Sequence, residues 1–160
     1  MTTPAIVLHE AGLLDWPTAA FGFARRWMSA PEVETLAVNR LIAETDPAPE
    51  VVALTSSGLS EIDISEHLGA LAQSSASIDD TVVLDRWLYA NLVVLDKSMC
   101  GDETTRTRLN EIYAEFGYPE IIRYVAPHNI PPDGVTISAL DCFHNALVQL
   151  RVELLEPGAG

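Results

Sequence analysis

The stretch Ser29-Ala30-Pro31-Glu32-Val33 carries the clearest helix start in the first half of the chain. A serine followed three residues later by a glutamate is the pattern of a capping box, in which each side chain accepts a backbone N–H from the other residue. Behind this start, an apolar stripe recurs at helical spacing and consists of Val33, Leu36, Ala37 and Leu41. The stretch therefore predicts an amphipathic helix that stops before Asp46-Pro47.

The same kind of signal recurs along the chain and predicts an all-α fold. Asp15 precedes a further helical pattern, and the 22 residues from Ile78 to Met99 contain neither glycine nor proline, which predicts the longest helix. Gly101 is expected to end that helix with a left-handed backbone, and Asp102 is expected to cap the next one. We expect about seven helices, mostly antiparallel to their sequential neighbours, because the connections are short.

Two segments leave a short strand open as an alternative. Ala5–Leu8 is a brief apolar run, and Leu59–Ile64 alternates between apolar and polar residues. For the second segment, Ser60 or Asp63 could instead cap a helix. A single short strand pair would not change the predicted fold class.

Length and composition bound the organisation of the chain. With 160 residues, 48% hydrophobic residues and a mean hydropathy of +0.17, the chain can bury a sizeable core. We expect one compact domain over residues 1–156 and a flexible tail over 157–160. The apolar runs are far shorter than the roughly 20 residues that span a bilayer. The sequence therefore predicts a cytoplasmic protein, monomeric or dimeric, that binds no membrane.

A tight corner is predicted between two late helices. Gly117 is expected to hold positive φ at a helix end, and Tyr118 to pack back on Tyr113. Pro119 is expected to be the first residue of a short helix over Glu120–Val125. These three residues, Gly117, Tyr118 and Pro119, predict a structural corner. A proline-rich loop over 126–134 and a last helix started by Ser138 should follow.

Acidic charge is concentrated in one part of the chain. Aspartate and glutamate total 23 against nine lysines and arginines, which gives a net charge of −14 and argues against nucleic-acid binding. From Leu41 to Asp85 there is no lysine or arginine. The nine acids of this segment, here called the acidic run, are Glu44, Asp46, Glu50, Glu61, Asp63, Glu66, Asp79, Asp80 and Asp85. Such a one-sign field predicts a surface for a basic protein partner, with general acidity for solubility as the alternative.

Catalytic and metal-binding patterns are weak. Asp141, Cys142 and His144 form the one candidate cluster, but Cys142 and His144 lie two residues apart and point to nearly opposite helix faces. The four histidines fall on different segments without metal-ligand spacing: His9, His67, His128 and His144. Cys100 and Cys142 are too few for a disulfide framework. No metal site, no cofactor and no catalytic residue is predicted.

Three motifs resemble a family of small bacterial helical proteins that is defined only as a domain of unknown function. They are Trp27–Val33, Arg86–Tyr89 and, most specifically, Tyr113–Glu120, and the resemblance spans roughly Asp15 to Pro132. The family is associated with immunity proteins of toxin systems, so the resemblance implies a non-enzymatic protein. Together with the acidic run, it predicts stoichiometric neutralisation of a basic toxin. A small enzyme using Asp141, Cys142 and His144, and an oligomeric helical scaffold, are the alternatives.

Overall fold

The computed structural model describes residues 2–126, 129 and 138–155, and all regular structure within these ranges is helical. The all-α prediction is confirmed, but the predicted number of seven helices is too low. The elements are α1 (Pro4–Glu10), α2 (Trp16–Ala24), α3 (Ala30–Ala43), α4 (Pro49–Leu54), α5 (Glu61–Ser74), α6 (Asp80–Lys97), α7 (Asp102–Glu115), a 3₁₀ helix (Glu120–Val125) and α8 (Ala139–Leu155).

The chain divides into two compact units. One unit runs from Pro4 to Val83, and the other from Leu84 onward together with residues 1–3, so the division falls inside α6. Each unit contains its own fully buried side chains, among them Leu8 and Leu68 in the first and Trp87 in the second. The single domain over residues 1–156 stays a prediction, and the tail over 157–160 lies outside the described residues.

The predicted capping box at the start of α3 is confirmed. The Glu32 N–H donates to the Ser29 hydroxyl at 3.3 Å, and the Ser29 N–H donates to the Glu32 carboxylate at 3.0 Å. Val33, Leu36 and Ala37 are buried, as the stripe predicts. The helix ends at Ala43, shortly before Asp46-Pro47.

Packing inside the Pro4–Val83 unit only partly follows chain order. α3 packs on α4, and α4 on α5, but the most extensive contact is between α2 and α5. The expectation of mostly sequential neighbours is therefore wrong for α2. Its position is set by side chains that meet across a long stretch of chain, which short connections do not reveal.

Neither of the two segments with an alternative strand interpretation forms a strand. Ala5–Leu8 lies in α1, and Leu59–Ile64 leads into α5, where the Ser60 hydroxyl accepts the Asp63 N–H at 3.2 Å. The buried stripe of α5 is Ile64, Leu68 and Leu71. This longer helical period outweighs the short alternation, because it buries three large side chains on one face.

The junction between α6 and α7 differs from the prediction. The first helix ends at Lys97, the only lysine of the chain, which is exposed. Met99, 90% exposed, takes the left-handed conformation with φ +54°, whereas Gly101 has φ −62° and is the N-cap of α7. Asp102 is consequently the first helical residue and not the cap. The left-handed residue thus comes two positions before the glycine.

Gly117, Tyr118 and Pro119 form a helix corner in the second unit. Gly117 has φ +75°, its N–H donates to the Ala114 carbonyl at 3.2 Å, and the Tyr118 N–H donates to the Tyr113 carbonyl at 2.8 Å. These are the two bonds of a Schellman motif. The Tyr118 ring packs edge-on against the Tyr113 ring, with centroids 5.2 Å apart.

The segment after the helix corner is a 3₁₀ helix and not an α-helix. Pro119 is its N-cap and not its first residue, and the backbone at Ile122 leaves helical geometry. Asn129 fastens this segment to α7, because its side-chain N–H groups donate to the Tyr113 hydroxyl at 3.0 Å and to the Arg123 carbonyl at 2.7 Å. Most of the predicted loop over 126–134 lies outside the described residues.

The last helix, α8, begins as predicted. The Ser138 hydroxyl accepts the Asp141 N–H at 3.0 Å. Cys142, Phe143, Ala146 and Leu150 are buried, and the helix packs on the 3₁₀ helix.

Candidate functional site

Cys142 and His144, two of the three residues of the candidate cluster, differ in their exposure to solvent. The Cys142 thiol is buried and lies 3.7 Å from the Ile121 carbonyl, to which it donates. Burial raises the pKa of the Cys142 thiol, against the opposing effect of nearby backbone N–H groups. The His144 side chain is exposed, with its Nε2 3.9 Å from a carboxylate oxygen of Asp96. The thiol is therefore buried while the imidazole is exposed, so the two side chains lie on different faces of α8.

The three histidines that the structure describes lie in three different helices. His9 lies in α1, His67 in α5 and His144 in α8, while His128 lies outside the described residues. Within residues 2–126, 129 and 138–155, no group of three potential ligand side chains is close enough to hold a metal ion.

The acidic run is distributed over several places. It comprises the end of α3 and the following turn (Glu44, Asp46), the start of α4 (Glu50), the first two turns of α5 (Glu61, Asp63, Glu66) and the start of α6 (Asp79, Asp80, Asp85). Seven of the nine side chains are exposed, and Glu50 and Asp85 are half-buried. Eight belong to the Pro4–Val83 unit, whereas Asp85 belongs to the other unit.

Ion pairs are found outside the acidic run. Arg108 pairs with Glu111 at 3.1 Å and approaches Glu115 at 3.7 Å, and Arg123 pairs with Glu120 at 2.9 Å. In the part of the chain that the structure describes, no carboxylate of the acidic run is paired with a cation. The eight members in the Pro4–Val83 unit therefore present their charge to solvent without local neutralisation.

Two carboxylates of the acidic run have shifted pKa values, in opposite directions. Desolvation by burial raises the pKa of Asp85, and the nearby charge of Glu153 raises it further. Hydrogen bonds from the Thr81 hydroxyl and backbone N–H, the latter at 2.9 Å, lower the pKa of Asp79. Asp79 therefore acts as a helix cap for α6, whereas Asp85 is a carboxylate in an unfavourable environment.

Exposed aliphatic side chains accompany the carboxylates. Ile42 is 79% exposed near Glu44, and Ile62 is 71% exposed between Glu61 and Asp63. Protein interfaces combine apolar contacts with complementary charge, and such isoleucines could supply the former. The charge pattern and the motifs of the sequence do not single out these two isoleucines, although their exposed position follows from the helical period of the buried stripes.

Glu61 also borders a cleft that the sequence did not predict. The cleft measures about 430 Å³ and lies between the end of α2, the start of α3 and the start of α5. Arg26, Trp27 and Glu32 contribute to its walls, so one of the sequence motifs meets the acidic run here. Arg26 has φ +63°, which ends α2 and turns the chain toward Ser29. The adjacent Arg25 guanidinium lies 4.6 Å from the Phe21 ring centroid.

Comparisons with known proteins place the chain in a family. None of the helices in the described ranges has the length and apolar character needed to cross a bilayer. Neither the curated proteins nor the solved structures contain a significant match. A family model does match, over residues 7–145, and this range covers most of both compact units. The chain therefore belongs to the family described as "Uncharacterized protein conserved in bacteria (DUF2247)".

Proposed function

We propose that this protein is a non-enzymatic binding protein for a basic protein partner, and in its sharpest form a bacterial immunity protein that neutralises a basic toxin stoichiometrically. One observation carries the proposal. Eight carboxylates of the acidic run lie in the Pro4–Val83 unit, at least partly exposed and without a paired cation in the described residues.

Unpaired surface carboxylates favour a basic partner for two reasons. No internal ion pair has to be broken before they bind, and their common sign steers a positively charged surface toward them. Inhibition by occlusion needs charge and shape but no chemistry. The exposed Ile42 and Ile62 add apolar area within the same part of the chain.

The test compares two sets of four charge reversals. The run set is Glu61→Lys, Asp63→Lys, Glu66→Lys and Asp80→Lys, and the control set is Asp102→Lys, Glu103→Lys, Asp141→Lys and Glu153→Lys. Each set contains three acids from first helical turns, so the cost to the helix dipoles is similar. Both sets change the net charge equally, so general acidity is held constant.

The binding partner for this test is the product of a toxin-like reading frame beside the gene. We expect a one-to-one complex, and the run set should slow association by about tenfold or more at low salt. The effect should shrink as salt rises, because exposed charges are screened. The control set should associate nearly as the parent does. Equal binding by both sets would contradict the proposal.

A further inference from the structure

An apolar groove lies between α1 and α3, inside the Pro4–Val83 unit. Its volume is about 210 Å³. Leu14, Met28 and Leu36, all buried, contribute to its lining, and Ile6 and Thr35 contribute from its more exposed part. α1 and α3 thus form two walls of one groove, although they are separated in the sequence by α2.

The volume limits what the apolar groove can hold. An apolar cavity of about 150 Å³ is known to accommodate benzene, whereas pockets for drug-sized ligands measure about 300–1,000 Å³. The observed 210 Å³ lies between these sizes and suits one ring-sized group. In protein interfaces, such pockets receive large apolar anchor side chains, which carry much of the binding energy.

The charge of the Pro4–Val83 unit indicates which residues would flank such an anchor side chain in a binding partner. From Pro4 to Val83 the chain has twelve aspartates and glutamates but only three arginines and no lysine. Arg25 lies over the Phe21 ring and Arg40 donates to the Leu14 carbonyl at 3.2 Å, but neither contact removes the positive charge. With twelve acids against three arginines, the unit keeps a surplus of nine negative charges. Glu32, whose carboxylate also accepts the Ser29 N–H, and His9 are the acidic and basic side chains that line the apolar groove itself. An anchor flanked by cations is therefore favoured over one flanked by anions.

We infer that the apolar groove receives one aromatic side chain of the basic partner, with lysine or arginine next to it in the partner's sequence. This inference rests on the proposed function. It assigns the apolar contact that accompanies the charged contacts with the basic partner. The acidic run would guide the partner, and the apolar groove would hold its anchor.

Capped tripeptide amides provide the probe: Lys-Phe-Lys, Glu-Phe-Glu and Lys-Ala-Lys, titrated separately into the full chain and followed by backbone amide NMR. We expect Lys-Phe-Lys to shift the amides of α1 and α3 around Ile6 and Thr35. Lys-Ala-Lys should bind about tenfold more weakly, since burial of a phenylalanine ring is lost. Glu-Phe-Glu should bind several-fold more weakly, with a difference that shrinks at high salt.

Two threonine variants form a matched pair for the same titration. Thr35 and Thr107 are both exposed and within helices, and each hydroxyl donates to the carbonyl four residues earlier at 3.0 Å. Thr35→Trp should fill the apolar groove and reduce Lys-Phe-Lys binding by about tenfold, as loss of the phenylalanine does. Thr107→Trp should bind as the parent does.

The outcomes separate this inference from the proposed function. Equal binding of Lys-Phe-Lys and Lys-Ala-Lys, or no effect of Thr35→Trp, would overturn the anchor while leaving the charge-reversal test unaffected. Preference for Glu-Phe-Glu would overturn a basic partner at this groove. A change of oligomeric state in Thr35→Trp, measured by sedimentation, would assign the groove to a second copy of the chain and overturn the inference. If the run set loses binding to the toxin-like partner while Thr35→Trp binds it as the parent does, the acidic run is supported and the role of the groove is overturned.

Discussion

Gly117 and Gly69 have opposite backbone requirements, and this difference gives a paired prediction. Gly117 has φ +75°, where an L side chain is strained, so Gly117→Ala should destabilise the fold by about 1–2 kcal/mol. Gly69 lies inside α5, and a Cβ there would meet no atom within 4 Å. Gly69→Ala should therefore stabilise by about 0.5–1 kcal/mol. Urea unfolding checks both. A Gly117→Ala variant as stable as the parent would contradict the assignment of the helix corner, and a destabilised Gly69→Ala variant would contradict the open space at Gly69.

The two cysteines should differ sharply in reactivity. Cys100 is exposed, whereas Cys142 is 5% exposed and burial raises the pKa of its thiol. We expect an aromatic disulfide reagent to modify one thiol quickly in the folded protein and both thiols in urea. Cys100→Ser should remove the fast phase, and Cys142→Ser should leave it intact. Two fast thiols in the folded parent would show that α8 opens readily.

Helix starts follow from the sequence more securely than helix ends. The capping box of Ser29 and Glu32 is a local hydrogen-bond pattern, and the structure contains it as predicted. At the end of α6, by contrast, Met99 takes the left-handed conformation that the sequence assigns to Gly101. An end depends on how the following segment packs, so composition alone does not locate it.

Asp85 in α6 gives a prediction for the dependence of stability on pH. Its pKa is raised from the usual 3.8 by burial and by Glu153, so the folded state holds this proton more tightly than the unfolded state does. The corresponding stability is present below pH 3.8 and is lost as the pH rises through the raised pKa. Asp85→Asn should therefore increase Tm at pH 7, and the gain should vanish in acid. Thermal unfolding at several pH values measures this.

Asp79, at the start of the same helix, provides a control with the opposite expected dependence of stability on pH. Its pKa is lowered by hydrogen bonds from Thr81, so its contribution to stability is present above pH 3.8 and is lost in acid. Asp79→Ala should decrease Tm at pH 7, with a deficit that narrows as the pH falls. If both variants shift Tm in the same direction at pH 7, the environments assigned to the two carboxylates are wrong.

Across the whole molecule, the sequence predicts fold class and charge but not the tertiary neighbours. The exposure of Glu61, Asp63 and Glu66 agrees with the buried stripe of α5, which the sequence shows directly. The apolar groove could not be predicted, because Ile6 and Thr35 belong to two helices that long-range packing brings to the same groove. The division of the acidic run between two compact units is likewise invisible in a linear charge pattern.

Net charge predicts the response of the whole chain to salt. At −14, the folded protein carries self-repulsion that added ions screen, with a Debye length of about 10 Å at 0.1 M. Tm should therefore rise as sodium chloride increases from low to physiological concentration. The run set and the control set should both weaken this dependence, since they change the net charge equally. A Tm of the parent that is independent of salt would contradict the prediction.

The position of Lys97 has a practical consequence for assays in which the parent protein is immobilised. It is the only lysine of the chain, it is exposed at the end of α6, and it lies outside the Pro4–Val83 unit. Coupling through lysine amines to a sensor surface therefore attaches every molecule by the same helix end. The acidic run and the apolar groove keep their native chemistry, and the bound population shares one point of attachment.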